Sequence, residues 1–572
     1  MELTIIAVLG VISIVAVAAL SRRIGVAAPL SLVMVGLVLS FMPGLPHIEI
    51  EPEIILTVVL PPLLYAAAVH MPAIDFRRDF KAIFRLSVVL VAVTTLCSGY
   101  LFAWLIPGLG LAAAFALGAV ISPTDAVAAT SVGKKLGLPS RLTTILEGEG
   151  LVNDASSLVL LASAVSALHT SVPLWRVGTD FAVAVVIAVL VGAFVGLASV
   201  FVRSRLTDTV ANTALSFVVP FLAFLPAEEL GASGVLAVVV AGLVNGNLSP
   251  RFIRARDRLA ENTNWMTISF LLESAIFLLM GLQLRTLLDQ TDDAHLPVAG
   301  TIGIGLLAAL LAIAIRALFV APLVSSLRHD ADRAESYRSV FDDLADQLAR
   351  GELPRRFDRG PGKKDPERLR KRLDQRKRDN EFFINERFGW RGGVVIAWSG
   401  MRGAVTVAAA QTLPPDTPFR PQLLLIAFIV AVTTLLLQGL TLPWVIKKVR
   451  VPADDTSADR AAYVELLEDL SQRAAEVLDD PGLARPDGTP FEPVVVARVR
   501  EETAVRRVPP TGTVPDDVDP REQYRELSLL VLSAEQDELL RVRSMGAYSS
   551  RLLTFAQDRM DRRLAQFQQA EA

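Results

Sequence analysis

Cysteine is almost absent: Cys97 stands alone among 572 residues. A single thiol excludes an intrachain disulfide framework and a cysteine-based metal centre. Its place in an apolar run marks it as a small buried hydrophobe. Histidine is scarce too, and five of them make a His-rich metal site a poor expectation. Charge is thin, at 20% of residues against 52% hydrophobic, and mean hydropathy is +0.46. Those proportions exclude an ordinary globular enzyme and describe a membrane protein with a soluble part attached. No Gly-flanked nucleophile, metal triad or phosphate loop is present. An enzyme is therefore not expected, nor is a nucleic-acid partner or a bound cofactor. A basic leader is missing as well. The first apolar run, LTIIAVLGVISIVAVAAL, follows Glu2 and precedes Arg22 and Arg23, so it reads as a first transmembrane helix rather than a signal peptide.

What is present is a series of long apolar runs. A helix needs roughly 20 mainly apolar residues to cross the hydrocarbon core. About thirteen stretches meet that length, near 3–20, 24–42, 54–70, 84–106, 109–131, 141–168, 178–202, 209–225, 231–247, 265–285, 298–327, 391–412 and 421–446. Loops after odd-numbered spans carry the basic residues, among them Arg77, Lys134, Arg203, Arg254 and Lys447. Loops after even-numbered spans carry Glu51, Glu228, Glu229 or Asp289, with Arg176 and Arg420 as exceptions. Positive residues collect on the cytoplasmic side, which puts the N-terminus outside and the C-terminus inside. The organisation expected is membrane domain over 1–328, charged cytoplasmic insertion over 329–390, two further membrane helices over 391–446, and a cytoplasmic tail over 447–572. The core of the insertion, KKDPERLRKRLDQRKRDNEFF, is a solvated basic helix or a contact for anionic membrane lipid. The tail shows apolar residues at three- and four-residue spacing, as in amphipathic helices. PDGTPFEP and VPPTGTVPDD read there as linker.

Polar residues inside these spans carry the functional signal. The stretch ILEGEGLVNDASSLVLL at 145–161 places Asp154 near the middle of the sixth span. An ionised carboxylate at that depth costs at least ~2.5–3.5 kcal/mol, so such residues usually face a polar cavity. Glu149, Asn153 and Ser157 recur every fourth residue and share one stripe, with Asp154 and Ser156 at its border. A structural hydrogen-bond network between helices is the plainer alternative. In the fifth span, GAVISPTDAVAAT holds Pro123, which removes a backbone donor and disfavours a helical Ser122. The helix should break there, at a depth where freed carbonyls need a protein or cavity lining. Thr124 and Asp125 follow the break and offer hard oxygen ligands for a small cation. The twelfth span has a matching feature, AWSGMRGAVTVAAA, with Arg402 between Gly400 and Gly403. Spans five and twelve run in opposite directions, so the pair suits two inverted six-helix repeats with interrupted helices at a transport site. Arg402 keeps its charge and needs a carboxylate. Glu149 is the first choice of partner, and Glu273 in SFLLESAIFLLMG the second. Asp154 and Asp125 would then remain free. Burial raises a carboxylate pKa and a nearby cation lowers it, so proton and metal ion compete for one site.

With these motifs in order, the chain resembles the monovalent cation:proton antiporters of the NhaP/NHE type. The matching segments are LPPLLYAAAVHM (60–71), SPTDAVAA (122–129), EGEGLVNDA (147–155), AEELGASGVLAVVVAGL (227–243), ESAIFLLMGLQL (273–284) and WSGMRGAVTVAAA (398–410). The resemblance covers roughly 1–446. It implies an all-α integral membrane fold, a homodimer in the plasma membrane, and exchange of cytoplasmic Na+ or Li+ for external H+ in pH and sodium homeostasis. By the same resemblance Asp154 binds cation and proton in turn, with Asp125, Thr124 and Asn153 at the ion site. Glu149 and Arg402 form a structural ion pair, and the Asn153–Asp154 order implies electroneutral exchange. Ser122 and Ser157 are further oxygen donors, and Glu273 is a secondary candidate. Two departures remove oxygen from the expected site: Gly150 where the family commonly has Ser, and Tyr65 with Ala66 where many relatives have an acid. They keep K+/H+ exchange open as the alternative. A passive cation channel and a regulator of the tail are further alternatives. Gly192 and Gly196 form a GxxxG that suits dimerisation or packing within the chain.

Overall fold

The computed structural model describes residues 2–42, 53–169, 174–292, 297–350, 366–452, 456–504 and 518–568. The linker expected over 508–517 and Glu51 lie outside these residues. In lipid every backbone polar group must be satisfied within the protein, and helices do this segment by segment. The described residues accordingly contain no β-strand, only an isolated bridge between Ala484 and Pro490.

The chain divides into two compact units. The apolar unit comprises residues 1–248, 263–333 and 386–453. It opens with α1 (Glu2–Ile24), α2 (Ala28–Ser40) and α3 (Leu60–His70), the last preceded by a π-helical stretch over Ile54–Val59. α4 (Ala73–Phe84) and α5 (Leu90–Leu105) join through a second π-helical stretch, Arg85–Val89. Then come α6 (Leu111–Ile121), α7 (Ala126–Lys135), α8 (Ser140–His169), α9 (Leu174–Arg203), α10 (Thr209–Glu229) and α11 (Gly234–Phe252). α12 (Ala255–Leu282), α13 (Leu284–Asp292) and α14 (Val298–Ala349) follow. α15 (Pro366–Asn385) precedes α16 (Trp390–Trp398), α17 (Ala404–Gln411) and α18 (Arg420–Val449). Among the described residues nine helical segments are long and apolar enough to cross a membrane, and three shorter apolar ones span Val8–Ser21, Ala28–Ser40 and Ile54–His70.

Packing sorts the unit into two apolar clusters. The larger gathers α2, α6, α8, α14, α16, α17 and α18 around residues such as Leu117, Ile145, Val395 and Leu425. The smaller gathers α3, α10 and α11 around Tyr65, Val219 and Val238. Gly192 and Gly196 lie against α11, where added Cβ atoms would fall 2.3 Å from the Ala237 carbonyl oxygen and 2.9 Å from Val244. The GxxxG therefore serves packing within the chain. Cys97 departs from expectation: it is exposed. It shares an outward apolar stripe of α5 with Leu96, Tyr100 and Trp104, and an apolar exterior is what a lipid-facing helix presents.

The polar unit comprises residues 249–262, 334–385 and 454–572. Its helices include α15, α19 (Thr456–Leu478), α20 (Pro493–Ala504), α21 (Val518–Met545) and α22 (Ser550–Gln568). The helix read as ending near 327 instead runs on to Ala349, because no breaker interrupts the polar sequence after Leu327. α20 occupies part of what reads as linker, seating Val495 and Val499 beside Leu478 and Leu527.

Candidate functional site: two crossed helix breaks and an acidic cavity

Both expected interruptions are present. α6 stops at Ile121 and α7 restarts at Ala126; α16 stops at Trp398 and α17 restarts at Ala404. The two breaks are joined through the main chain, the Asp125 N–H donating to the Met401 carbonyl at 2.7 Å. Asp125 also caps α7, its Oδ1 accepting from the Val127 N–H at 2.8 Å, which satisfies one of the donors left open at a helix start. Only glycine fits at 403, since a Cβ there would fall 2.2 Å from Asp125 Oδ2.

Arg402 does not pair with Glu149. Its Nε donates to the Ile121 carbonyl at 3.1 Å and its Nη1 to the Gly400 carbonyl at 2.6 Å. The Arg402 backbone N–H is held by Thr434 Oγ1 at 3.1 Å. A helix end exposes carbonyls with partial negative charge. One guanidinium thus serves the end of α6 and the carbonyl of Gly400 just past the end of α16, and this competes successfully with a carboxylate. The partner of Glu149 is Arg316, a charge inside the apolar run of α14. Its Nη2 donates to Glu149 Oε2 at 2.8 Å, its Nη1 bonds the other carboxylate oxygen, and its Nε donates to the Ile396 carbonyl at 2.9 Å. Both side chains are almost fully buried.

The same carboxylate anchors the first break. Thr124 Oγ1 donates to Glu149 Oε1 at 2.6 Å. Asn153 Nδ2 donates to the Thr124 carbonyl at 2.8 Å and to its hydroxyl at 3.0 Å. Thr124, expected at the ion, is thus engaged through its hydroxyl and its carbonyl, while Asn153 braces the unwound segment through Nδ2 and its buried Oδ1 has no hydrogen-bond partner among the described residues. Ser157 donates to the Asp154 carbonyl at 3.0 Å, while Ser122 meets Thr95 Oγ1 and the Ala119 carbonyl, each at 3.1 Å. These hydroxyls are spent on local bonds. At the start of α8, Arg141 forks onto Asp79 of α4 (Nη2 to Oδ1 2.8 Å, Nε to Oδ2 3.1 Å) and also donates to the Glu386 carbonyl.

What stays open is a cavity of about 400 Å³ lined by Asp154, Asp125, Glu273, Glu147, Lys134 and His70. Among the described residues the side chains of Asp154 and Glu273 make no hydrogen bond or ion pair. Asp154 is 9% exposed. Lys134 Nζ meets Glu147 Oε1 at 2.7 Å, the lysine well exposed. Gly150 lines the cavity and brings α8 onto α7, where a Cβ would stand 2.9 Å from the Ala126 Cβ. Tyr65 and Ala66 sit in the smaller apolar cluster, Tyr65 with its ring centroid 5.2 Å from that of Trp265. Sequence reasoning missed Arg316, Lys134 and Glu147 as site residues. The signal for Arg316 was plain, a lone arginine in AIAIRALFV; Glu147 stood out as an acid of the sixth span but drew no role, and Lys134 read as a basic loop residue.

Residues 10–448 match the family model described as "Sodium/hydrogen exchanger, transmembrane". An uncharacterized Na+/H+ exchanger of Mycobacterium tuberculosis is 30% identical over 502 residues, 83% of this chain and 82% of that one. A sodium, potassium, lithium and rubidium/H+ antiporter of Bacillus subtilis is 30% identical over 312 residues, 52% of this chain and 46% of that one. Among solved structures, the sodium proton antiporter MjNhaP1 from Methanocaldococcus jannaschii superposes with a TM-score of 0.55 at 18% identity. The match covers 78% of this chain and 99% of that one, and it shows the shared fold.

Proposed function

Because the chain belongs to the sodium/hydrogen exchanger family, we propose that it exchanges cytoplasmic Na+ or Li+ for external H+ by alternate binding of cation and proton at Asp154. The observation that carries this is the isolation of Asp154. Its neighbours Glu149, Thr124 and Asn153 are locked in one network. Asp154 faces the cavity with no partner of its own among the described residues. A carboxylate in that position stays neutral by holding a proton or balances its charge with a metal ion, and it does one at a time. Such competition is sufficient for antiport.

The chain's residues divide the work. Asp125 stands at the start of α7 with one oxygen engaged by its cap and its carboxylate turned to the cavity, so it supplies a second oxygen for the cation. Thr124 fixes the break, and Asn153 braces it through Nδ2. Glu273 adds negative charge on the opposite wall and draws cations in. Arg316 and Arg402 hold the scaffold. Exchange is electroneutral, one proton replacing one monovalent ion on one carboxylate. We place the protein in the plasma membrane as a homodimer of thirteen-span chains, in two inverted repeats, with its N-terminus outside and the polar unit in the cytoplasm. That orientation rests on the basic loops.

K+/H+ exchange is the second reading, favoured by Gly150, which gives α8 no hydroxyl at that point of the cavity wall, and consistent with the mixed alkali cations in the Bacillus relative's name. Proton flux in proteoliposomes carrying a pH gradient tests both, with Na+, Li+ and K+ added in turn under a membrane-potential clamp. Gradient collapse by Na+ or Li+ that ignores the clamp is the expected result. A response to K+ alone selects the second reading, and cation-independent current refutes antiport.

A further inference from the structure

The wall of the acidic cavity is graded from its mouth inward. α7 and α8 pack side by side, and each turns one face to the cavity: Val127, Ser131 and Lys134 from α7, Glu147, Gly150 and Asp154 from α8. Residues spaced by three, four and seven share a helix face. Glu147 and Asp154 therefore stand on one line, about 10 Å and roughly two turns apart at 1.5 Å per residue. Exposure falls along that line. The Lys134 and Glu147 side chains are 65% and 29% exposed, whereas Asp154 is 9% exposed. Lys134 and Glu147 mark the mouth, and Asp154 lies inside it.

The cavity lining carries the carboxylates of Asp125, Glu147, Asp154 and Glu273, and the Lys134 ammonium sits on that of Glu147 at 2.7 Å. Across the cavity His70 turns Nδ1 to the Ala66 carbonyl at 2.6 Å. An exposed pair such as Lys134–Glu147 adds little to stability, because both groups are hydrated and the long lysine stem must be held still. α7 and α8 need no such tie. Gly150 already brings them together at Ala126, and only residues 136–139 separate the two helices in sequence. The pair matters instead through its charge. A lysine ammonium is a compact point charge on a flexible stem, so it competes with an alkali ion of the same charge for the same carboxylate oxygens. One turn inward on the same face of α7, the Ser131 hydroxyl also lines the cavity. It offers a small cation a second hard oxygen.

We propose that Glu147 is a loading station for the alkali cation and that the Lys134 ammonium is its tethered occupant. The ion displaces the ammonium at the mouth, pairs with Glu147 and the Ser131 hydroxyl, and passes from there to Asp154. This rests on the antiport reading given above and adds to it a binding site that precedes the exchange site. Lys134 and Glu147 together set the apparent affinity for the cation, while the exchange of ion for proton stays with Asp154.

The test uses the full chain in proteoliposomes with Lys134→Gln and Glu147→Gln, singly and together; both changes keep much of the side chain's shape. Lys134→Gln should lower KM for Na+ about two- to fivefold, the range set by an exposed ion pair. Glu147→Gln should raise it by a similar factor, and both effects should fall in KM rather than in maximal flux. In the double variant the fall caused by Lys134→Gln should vanish. An equal fall there means that Lys134 repels the ion without Glu147, and the station is overturned. A second readout needs no transport: the rate at which acetic anhydride acetylates Lys134, read by mass spectrometry with the exposed neighbour Lys135 as internal control. NaCl should quicken that modification about twofold or more over choline chloride at equal ionic strength, the low end of the same range. The quickening should persist in Asp154→Asn and disappear in Glu147→Gln. Quickening in a chain that does not transport removes the antiport reading and keeps the cation station. A Lys134 rate indifferent to NaCl overturns the station, whether or not the chain transports.

Discussion

Replacing Arg316 with methionine keeps much of the side chain's length and removes its charge. The Glu149 carboxylate would be left buried at 3% exposure, with the Thr124 hydroxyl as its remaining donor. Stranding one member of a buried ion pair costs ~3–5 kcal/mol. At roughly 2 °C per kcal/mol, the lower figure for larger domains, the melting temperature should fall by about 6–10 °C. Thermal unfolding of the detergent-solubilised chain, followed by intrinsic fluorescence, measures this. The sharper assay is a double-mutant cycle. Glu149→Gln with Arg316→Met should cost less than the two changes summed, by about 0.5–3 kcal/mol, as for residues in contact. Glu149→Gln with Arg402→Met should couple more weakly than that, because the hydrogen bonds of the Arg402 side chain go to backbone carbonyls. Additivity in the first cycle, or strong coupling in the second alone, would refute the assignment of partners.

Asp154→Asn should abolish cation-dependent proton flux while the chain inserts and melts normally; full activity in that variant removes Asp154 from the site. Gly150→Ser restores the family's hydroxyl but sets a Cβ 2.9 Å from Ala126. It should therefore lower flux severalfold by pushing the start of α7, which selectivity assays and melting together can read; unchanged stability with altered selectivity would mean that α7 yields freely. Arg141→Ala leaves Asp79 buried at 2% exposure and should cost ~3–5 kcal/mol, visible as lost yield and melting temperature. In the polar unit, burial and the bond to Glu502 push the Tyr524 phenol up to about 12. Its folded value lies above its unfolded one, so this contribution to stability is complete below about pH 10 and lost as pH rises toward 12. Tyr524→Phe should flatten that part of the stability profile of the full chain.

The helix breaks were legible because their cause is local: Pro123 and the glycines around Arg402 act on their own backbones. The acids were legible because lipid makes an ionised residue conspicuous wherever it stands. Partner choice was not, since it depends on which helices meet. Glu149 was assigned to the arginine nearest the second break, whereas the chain brings Arg316 from α14. The same limit explains Thr124, whose oxygens suit an ion by type but are taken by Glu149 and Asn153. In the polar unit the amphipathic spacing of α19 and α21 was readable. The recruitment of Ala255 and Arg258 into its core was not, because nothing in a short loop sequence announces what will cover it.

The bond from the Asp125 N–H to the Met401 carbonyl belongs to the main chain, so no side-chain replacement can delete it. The crossing of the two breaks is in that sense written in a part of the molecule that amino-acid substitution leaves alone, proline at 125 excepted. Gly403 and Gly150 are held small by their close approach to Asp125 and Ala126, and variation in size and polarity falls to the other residues around the cavity. The joint between the breaks and the lining of the cavity are thus separable parts of the chain, one held by backbone and the other by side chains.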